Sequence, residues 1–184
     1  MTPPGSSSRG ATEIDAVRAV EDAILVAFVV AVVYTDWRYH RIPNAFTYPV
    51  MLAGLVLGAI EALPGEPFAK GLLDHAAGLV VGFLIAYPFY AMGGLKAGDG
   101  KYLMSVGAMR GLGLLLAGAI YGALLGGVIA LGFIAVRRLR TVNDPSASMG
   151  AVMKTWIPYG VALGLGTLVA LALELSGRLP GATL

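Results

Sequence analysis

Two aspartates carry most of the chemistry this sequence can offer. Asp36 lies in TDWRYHRIPNAF, residues 35–46, and Asp99 in GGLKAGDGKYL, residues 93–103, each a polar island between long apolar runs. Two carboxylates held close together cannot both ionise easily, so such a pair shares one proton over a range of pH. The ionised member can then take a proton from water while the protonated member polarises an amide carbonyl, which is the chemistry of aspartic proteases. Cysteine is absent. That removes disulfides, thiolate nucleophiles and Cys-ligated metals, and leaves the work to oxygen and nitrogen groups.

Each aspartate also has a plainer reading. Asp99 directly precedes an apolar run at 100–109 and is suited to cap a helix N-terminus. Asp36 follows the first apolar run, where it could pair at the interface with Arg38 or Arg41. Their combination is what stands out. Asp36 falls at a helix C-terminus, the unfavourable end for an anion, whereas Asp99 falls at the favourable end in a glycine-rich loop beside Lys96 and Lys101. This predicts that Asp36 holds its proton more tightly and that Asp99 ionises more readily and serves as the base. The glycines would let a substrate backbone approach Asp99.

The elements that must position the pair are membrane helices. Of 184 residues, 57% are hydrophobic and 13% charged, against about 25% charged in soluble domains. Mean hydropathy is +0.77. A net charge of +2, with basic residues beside apolar runs, argues against nucleic acid as a partner and for orientation in a lipid bilayer. Apolar segments at 19–35, 45–63, 72–92, 112–136 and 157–175 are each near the ~20 residues that cross a bilayer core. A shorter fourth segment, 100–116, carries a break near 110–113. The expected fold is an all-α polytopic bundle of about six transmembrane spans. Its domain organisation reads as a disordered tail at 1–15, one transmembrane domain at 16–178 and a C-terminal tail at 179–184.

Parity places the loops after spans 1, 3 and 5 on one membrane face. Arg38, Arg41, Lys96, Lys101, Arg137, Arg138, Arg140 and Lys154 lie there, so the positive-inside rule makes that face cytoplasmic. Pro43 ends span 1, and Asn44 is placed to cap span 2. Glycines four apart at 54/58, 78/82, 118/122/126 and 160/164 read as helix packing within the chain, with a homo-oligomer left open.

DWRYHRIPN in the first loop, GGLKAGDGK in the second and IPYG at 157–160 together resemble the type IV prepilin peptidases, polytopic aspartic proteases. The likeness covers about residues 24–175. It implies that Asp36 and Asp99 are the catalytic aspartates, with Arg41, Pro43, Asn44, Lys96, Gly98 and Lys101 supporting the motif and substrate loops. It further implies that a prepilin or pseudopilin is cleaved after its basic leader at the cytoplasmic face of the inner membrane, with no cofactor and no metal. The chain departs from the family pattern at Lys96, where glycine is usual, and at Gly100, where an aliphatic residue is usual. Without the cysteine-rich segment of longer members it resembles the short, peptidase-only form.

Two other classes of protein fit the same residues: a small proton- or cation-coupled carrier, and an inactive pilus-assembly scaffold. Membrane-midplane carboxylates would favour the carrier. Among the remaining polar residues, His40 with the two aspartates lacks a recognisable metal-ligand spacing. Asp74 and His75 read as an interfacial pair on the opposite face, Glu61 and Glu174 as hydrated span ends, and Trp37, Trp156 and Tyr159 as an aromatic belt.

Overall fold

The computed structural model describes residues 6–61, 69–141 and 159–179, with side chains over 14–61, 71–136 and 159–179. These form five helices and no strand: α1 (Ser6–Tyr39), α2 (Asn44–Glu61), α3 (Ala69–Ala91), α4 (Ala97–Thr141) and α5 (Tyr159–Leu175). Segments Asn44–Glu61, Gly71–Ala91 and Ala97–Val136 are long and apolar enough to cross a membrane, and α5 is a shorter apolar helix. The all-helical membrane fold is thus as the composition requires. Helix α1 begins at Ser6, inside the stretch 1–15 read from composition as a tail. Three consecutive serines there favour a helix start, and no proline follows Pro4 to stop it. Lys154, Trp156 and the first two residues of IPYG lie outside the described residues, as do the side chains of Arg137, Arg138 and Arg140.

Helix α4 is broken, at the place where the sequence suggested. Arg110 (φ −136°, ψ 16°) and Gly111 (φ 72°, ψ −167°) leave helical geometry, the second in the left-handed region that glycine enters without a Cβ penalty. Asp74 of α3 seals the break by accepting the Leu112 amide at 3.2 Å. The limb before it, 97–109, is about 20 Å long at ~1.5 Å per residue. Counting the two limbs of α4 separately gives six helical rods among the described residues.

Helix α4 is the centre of the bundle, packed against α2, α3 and α5, while α1 lies on α5 and α2. Leu25, Phe28, Val29 and Val32 of α1 recur with helical spacing and meet Tyr102, Leu103, Val106 and Met109 of α4 and Leu163 and Leu171 of α5 in one core. The Tyr102 ring stacks on Phe28 with centroids 5.4 Å apart. Its hydroxyl donates to Thr167 Oγ1 at 2.8 Å. The glycine pairs serve this packing: Gly54 lies on the Ala108 backbone, Gly78 on Gly107, Gly122 on Leu163 and Gly164 on Val33.

Large apolar side chains cover the outside, among them Leu52, Val80, Leu84, Leu124 and Val128, while Glu21, Asp36, Thr47, His75, Asp99, Ser105 and Thr167 are buried. Apolar outward and polar inward is the arrangement demanded when the surrounding solvent is hydrocarbon.

Candidate active site

The two polar loops meet at one end of the bundle. Three contacts join them. Lys96 Nζ donates to the His40 carbonyl at 3.3 Å, Lys101 Nζ donates to Asn44 Oδ1 at 2.8 Å, and Gly98 lies so close to Ile42 that a Cβ would sit 3.2 Å from the isoleucine Cβ. Asn44 therefore spends its side-chain oxygen on α4 rather than capping α2, whose first turn instead uses the Pro43 carbonyl, accepting from the Phe46 amide at 3.2 Å. Arg41 is exposed on the same loop.

Asp99 is the third residue of α4, not the residue before it. Its Oδ2 reaches back to accept the Lys96 amide at 3.0 Å, a capping-box geometry that satisfies a donor the helix cannot. The preceding turn is made by Gly93 (φ 76°), which closes α3 through Gly94 N–H donating to the Phe89 carbonyl at 2.8 Å. The glycines of this loop serve the chain's own turn and its contacts with Ile42 and Ala86.

Asp36 lies in the last turn of α1, one residue beyond the apolar segment 19–35. Its Oδ2 accepts the Val161 amide at 3.2 Å, so a residue expected only at a helix C-terminus also faces the N-terminus of α5, where partial positive charge gathers. Gly160 makes this possible: a Cβ there would lie 2.7 Å from Oδ2 and 2.8 Å from Cγ of Asp36. Both carboxylates thus touch helix N-termini, which removes much of the electrostatic contrast anticipated between them. Burial pushes the Asp36 carboxyl above the ordinary aspartate value of 3.8, opposed by the α5 amides and, less strongly, by the Lys96 charge.

Asp36 and Asp99 are each only 3% exposed. Asp36 acts electrostatically on Asp99, and the Lys96 ammonium acts on both. An apolar groove of about 350 Å³ between α1 and α5 is lined by Val30, Val33, Tyr34, Trp37, Leu165 and Leu168. Trp37 is 64% exposed, as a side chain at a membrane interface should be. Gly160 and Val161 were not singled out as site residues by sequence, although Gly160 stands in the IPYG stretch. A backbone donor reaching across 125 residues has no local signature.

A multi-helix membrane protein with two buried carboxylates at one end of the bundle is the class this fold and site define. Residues 23–131 match the sequence model of the type IV leader peptidase family, and the chain belongs to that family. It is thereby a membrane protein of the peptidase class. No curated protein and no solved structure matches the chain.

Proposed function

We propose that this chain is an aspartic endopeptidase that removes the basic leader from type IV prepilin-like proteins at the cytoplasmic face of the inner membrane. The observation that carries this reading is the burial of Asp36 and Asp99 at one end of the bundle, interacting with each other and with Lys96. Burial disfavours two adjacent negative charges, so the pair retains one proton between them; which oxygen bears it is a property of the pair and not of either residue. The ionised carboxylate removes a proton from water as the water oxygen bonds to the scissile carbonyl carbon. The protonated carboxyl donates to the carbonyl oxygen. Collapse of the tetrahedral intermediate breaks the C–N bond, and the proton taken from water passes to the departing amine.

The groove between α1 and α5 supports a substrate with an apolar helical segment, since it is lined by apolar and aromatic side chains, among them Trp37 next to Asp36 in sequence. Exposed Arg38, Arg41 and Lys96 at the same end support a cytoplasmic orientation under the positive-inside rule. The test is cleavage of a prepilin by the purified protein in detergent. Asp36→Asn and Asp99→Asn should each abolish leader removal while the helical circular-dichroism spectrum is kept. Cleavage by either variant at the parental rate would refute the assignment.

A further inference from the structure

About 22 Å along α1 from Asp36, at ~1.5 Å per residue, the opposite end of the bundle holds a second polar cluster. Arg110, at the break in α4, pairs with Glu21 at 3.4 Å, Asp22 at 3.1 Å and Glu174 at 2.7 Å. Arg18 pairs with Glu61 at 3.3 Å. Glu61 and Glu174, expected from sequence to be hydrated span ends, are therefore drawn into a network, and so is His75. Two guanidiniums face four carboxylates. With a neutral His75 and all four carboxylates ionised, the cluster would be short by two positive charges.

Four buried polar atoms of the cluster have no hydrogen-bond partner among the described residues, Glu21 Oε1, Asp22 Oδ1, Arg110 Nε and Glu174 Oε2, and of these Glu21 Oε1 is the one that faces His75. Glu21 is fully buried, and its Oε1 has no hydrogen-bond donor among the described residues, a costly state for a buried carboxylate oxygen. That atom lies 3.8 Å from His75 Nε2, and Glu61 Oε2 lies 3.9 Å from the same nitrogen. The three atoms are all within 4.8 Å of one another. His75 Nδ1 lies 2.9 Å from the Gly54 carbonyl and 2.8 Å from the Ala108 carbonyl. Carbonyls only accept, so Nδ1 bears a hydrogen and Nε2 is the ring atom that faces the two carboxylates, offering them a lone pair when the ring is neutral. A histidine whose second nitrogen donates to backbone carbonyls is oriented as metal-ligating histidines are. The ring is also seated against Gly58, where any Cβ would overlap it.

We propose that His75 Nε2, Glu21 Oε1 and Glu61 Oε2 form a binding site for a divalent transition-metal ion of the zinc type, tying α1, α2 and α3 together. One imidazole and two carboxylates suit zinc better than magnesium or calcium, which prefer all-oxygen surroundings. Tetrahedral ligation at about 2.0–2.1 Å sets neighbouring ligand atoms about 3.4 Å apart, so the observed spacing needs only modest side-chain closure. Arg110, holding the other oxygen of Glu21, orients that ligand, and the ion supplies positive charge between the carboxylates.

The competing occupant is a proton, with His75 as an imidazolium bridging both glutamates. Zinc chloride titrated into the full-length protein in detergent, after chelation and dialysis, separates the two by calorimetry and elemental analysis. The site predicts one bound zinc per chain. Affinity should fall at least about 100-fold in His75→Gln, beyond the roughly 10–100-fold that loss of a supporting contact costs, and be retained in the Asp36→Asn, Asp99→Asn double variant. Should His75→Gln fail to fold, Glu61→Gln, at a more open corner of the cluster, must show the same weakening. No uptake by the parental protein, parental affinity in His75→Gln or Glu61→Gln, or loss in the double aspartate variant would each overturn the proposal.

Discussion

Replacing Gly160 by alanine tests the contact on which the geometry of Asp36 depends. The new methyl would lie 2.7 Å from Oδ2, 2.8 Å from Cγ and 3.0 Å from Cβ of Asp36, whereas non-bonded carbon atoms settle about 3.5–4.0 Å apart. Rotating the carboxylate relieves only the first two contacts. The Asp36 Cβ is fixed to the α1 backbone, so α1 and α5 must separate by about half an ångström or more to restore contact distance. That separation lengthens the Val161 amide bond to Asp36, now 3.2 Å. Overpacking of this kind costs about 1–3 kcal/mol, and displacements near 1 Å at reacting groups cost on the order of 10²-fold in rate. Gly160→Ala should therefore lower kcat for prepilin cleavage about 10- to 100-fold with a smaller change in KM, and should also lower the melting temperature in detergent. Gly126→Ala is the control: its Cβ would stand 3.4 Å from Ala162, an ordinary contact, and both properties should stay at parental values. A Gly160→Ala protein with parental kcat and melting temperature would refute the placement of α5 against Asp36.

Lys96→Met should move the acidic limb of the pH–rate profile to higher pH. Burial is the main cause raising the Asp36 carboxyl and the Lys96 charge opposes it, so removing that charge lets the proton persist as pH rises; an unmoved limb would count against any influence of Lys96 on the pair. Tyr102→Phe deletes a buried bond of 2.8 Å to Thr167 and should cost about 0.5–1.5 kcal/mol in detergent unfolding, with cleavage nearly unchanged. Arg110→Met strips the counter-ion from Glu21, Asp22 and Glu174 and should destabilise by about 3–5 kcal/mol, measured as lost folded yield and partly restored by adding Glu174→Gln.

Much of the architecture was legible because the bilayer imposes a local rule on each segment. Apolar length marks the spans, and Gly111 marks the break in α4 because a left-handed residue there favours glycine. Parity brought Asp36 and Asp99 to one side without knowledge of packing. What stayed hidden was the pairing of elements. Asn44 resembles a cap until Lys101 is placed beside it. Glu21 looks like a charged flank until Arg110 and His75 arrive from α4 and α3, since burial of a charge depends on partners remote in sequence. Likewise, Asp36 at the end of α1 carries an expectation about α1 alone, and the amide that answers it belongs to α5.

That last amide has a biosynthetic consequence. Both acidic residues have been made once α4 has been inserted, yet Asp36 acquires its Val161 donor only when α5 packs beside α1. Glu174 reaches Arg110 on the same occasion. A ribosome-bound chain lacking α5 should thus be hydrolytically inert, and docking of the final helix would both lock the scaffold and arm it.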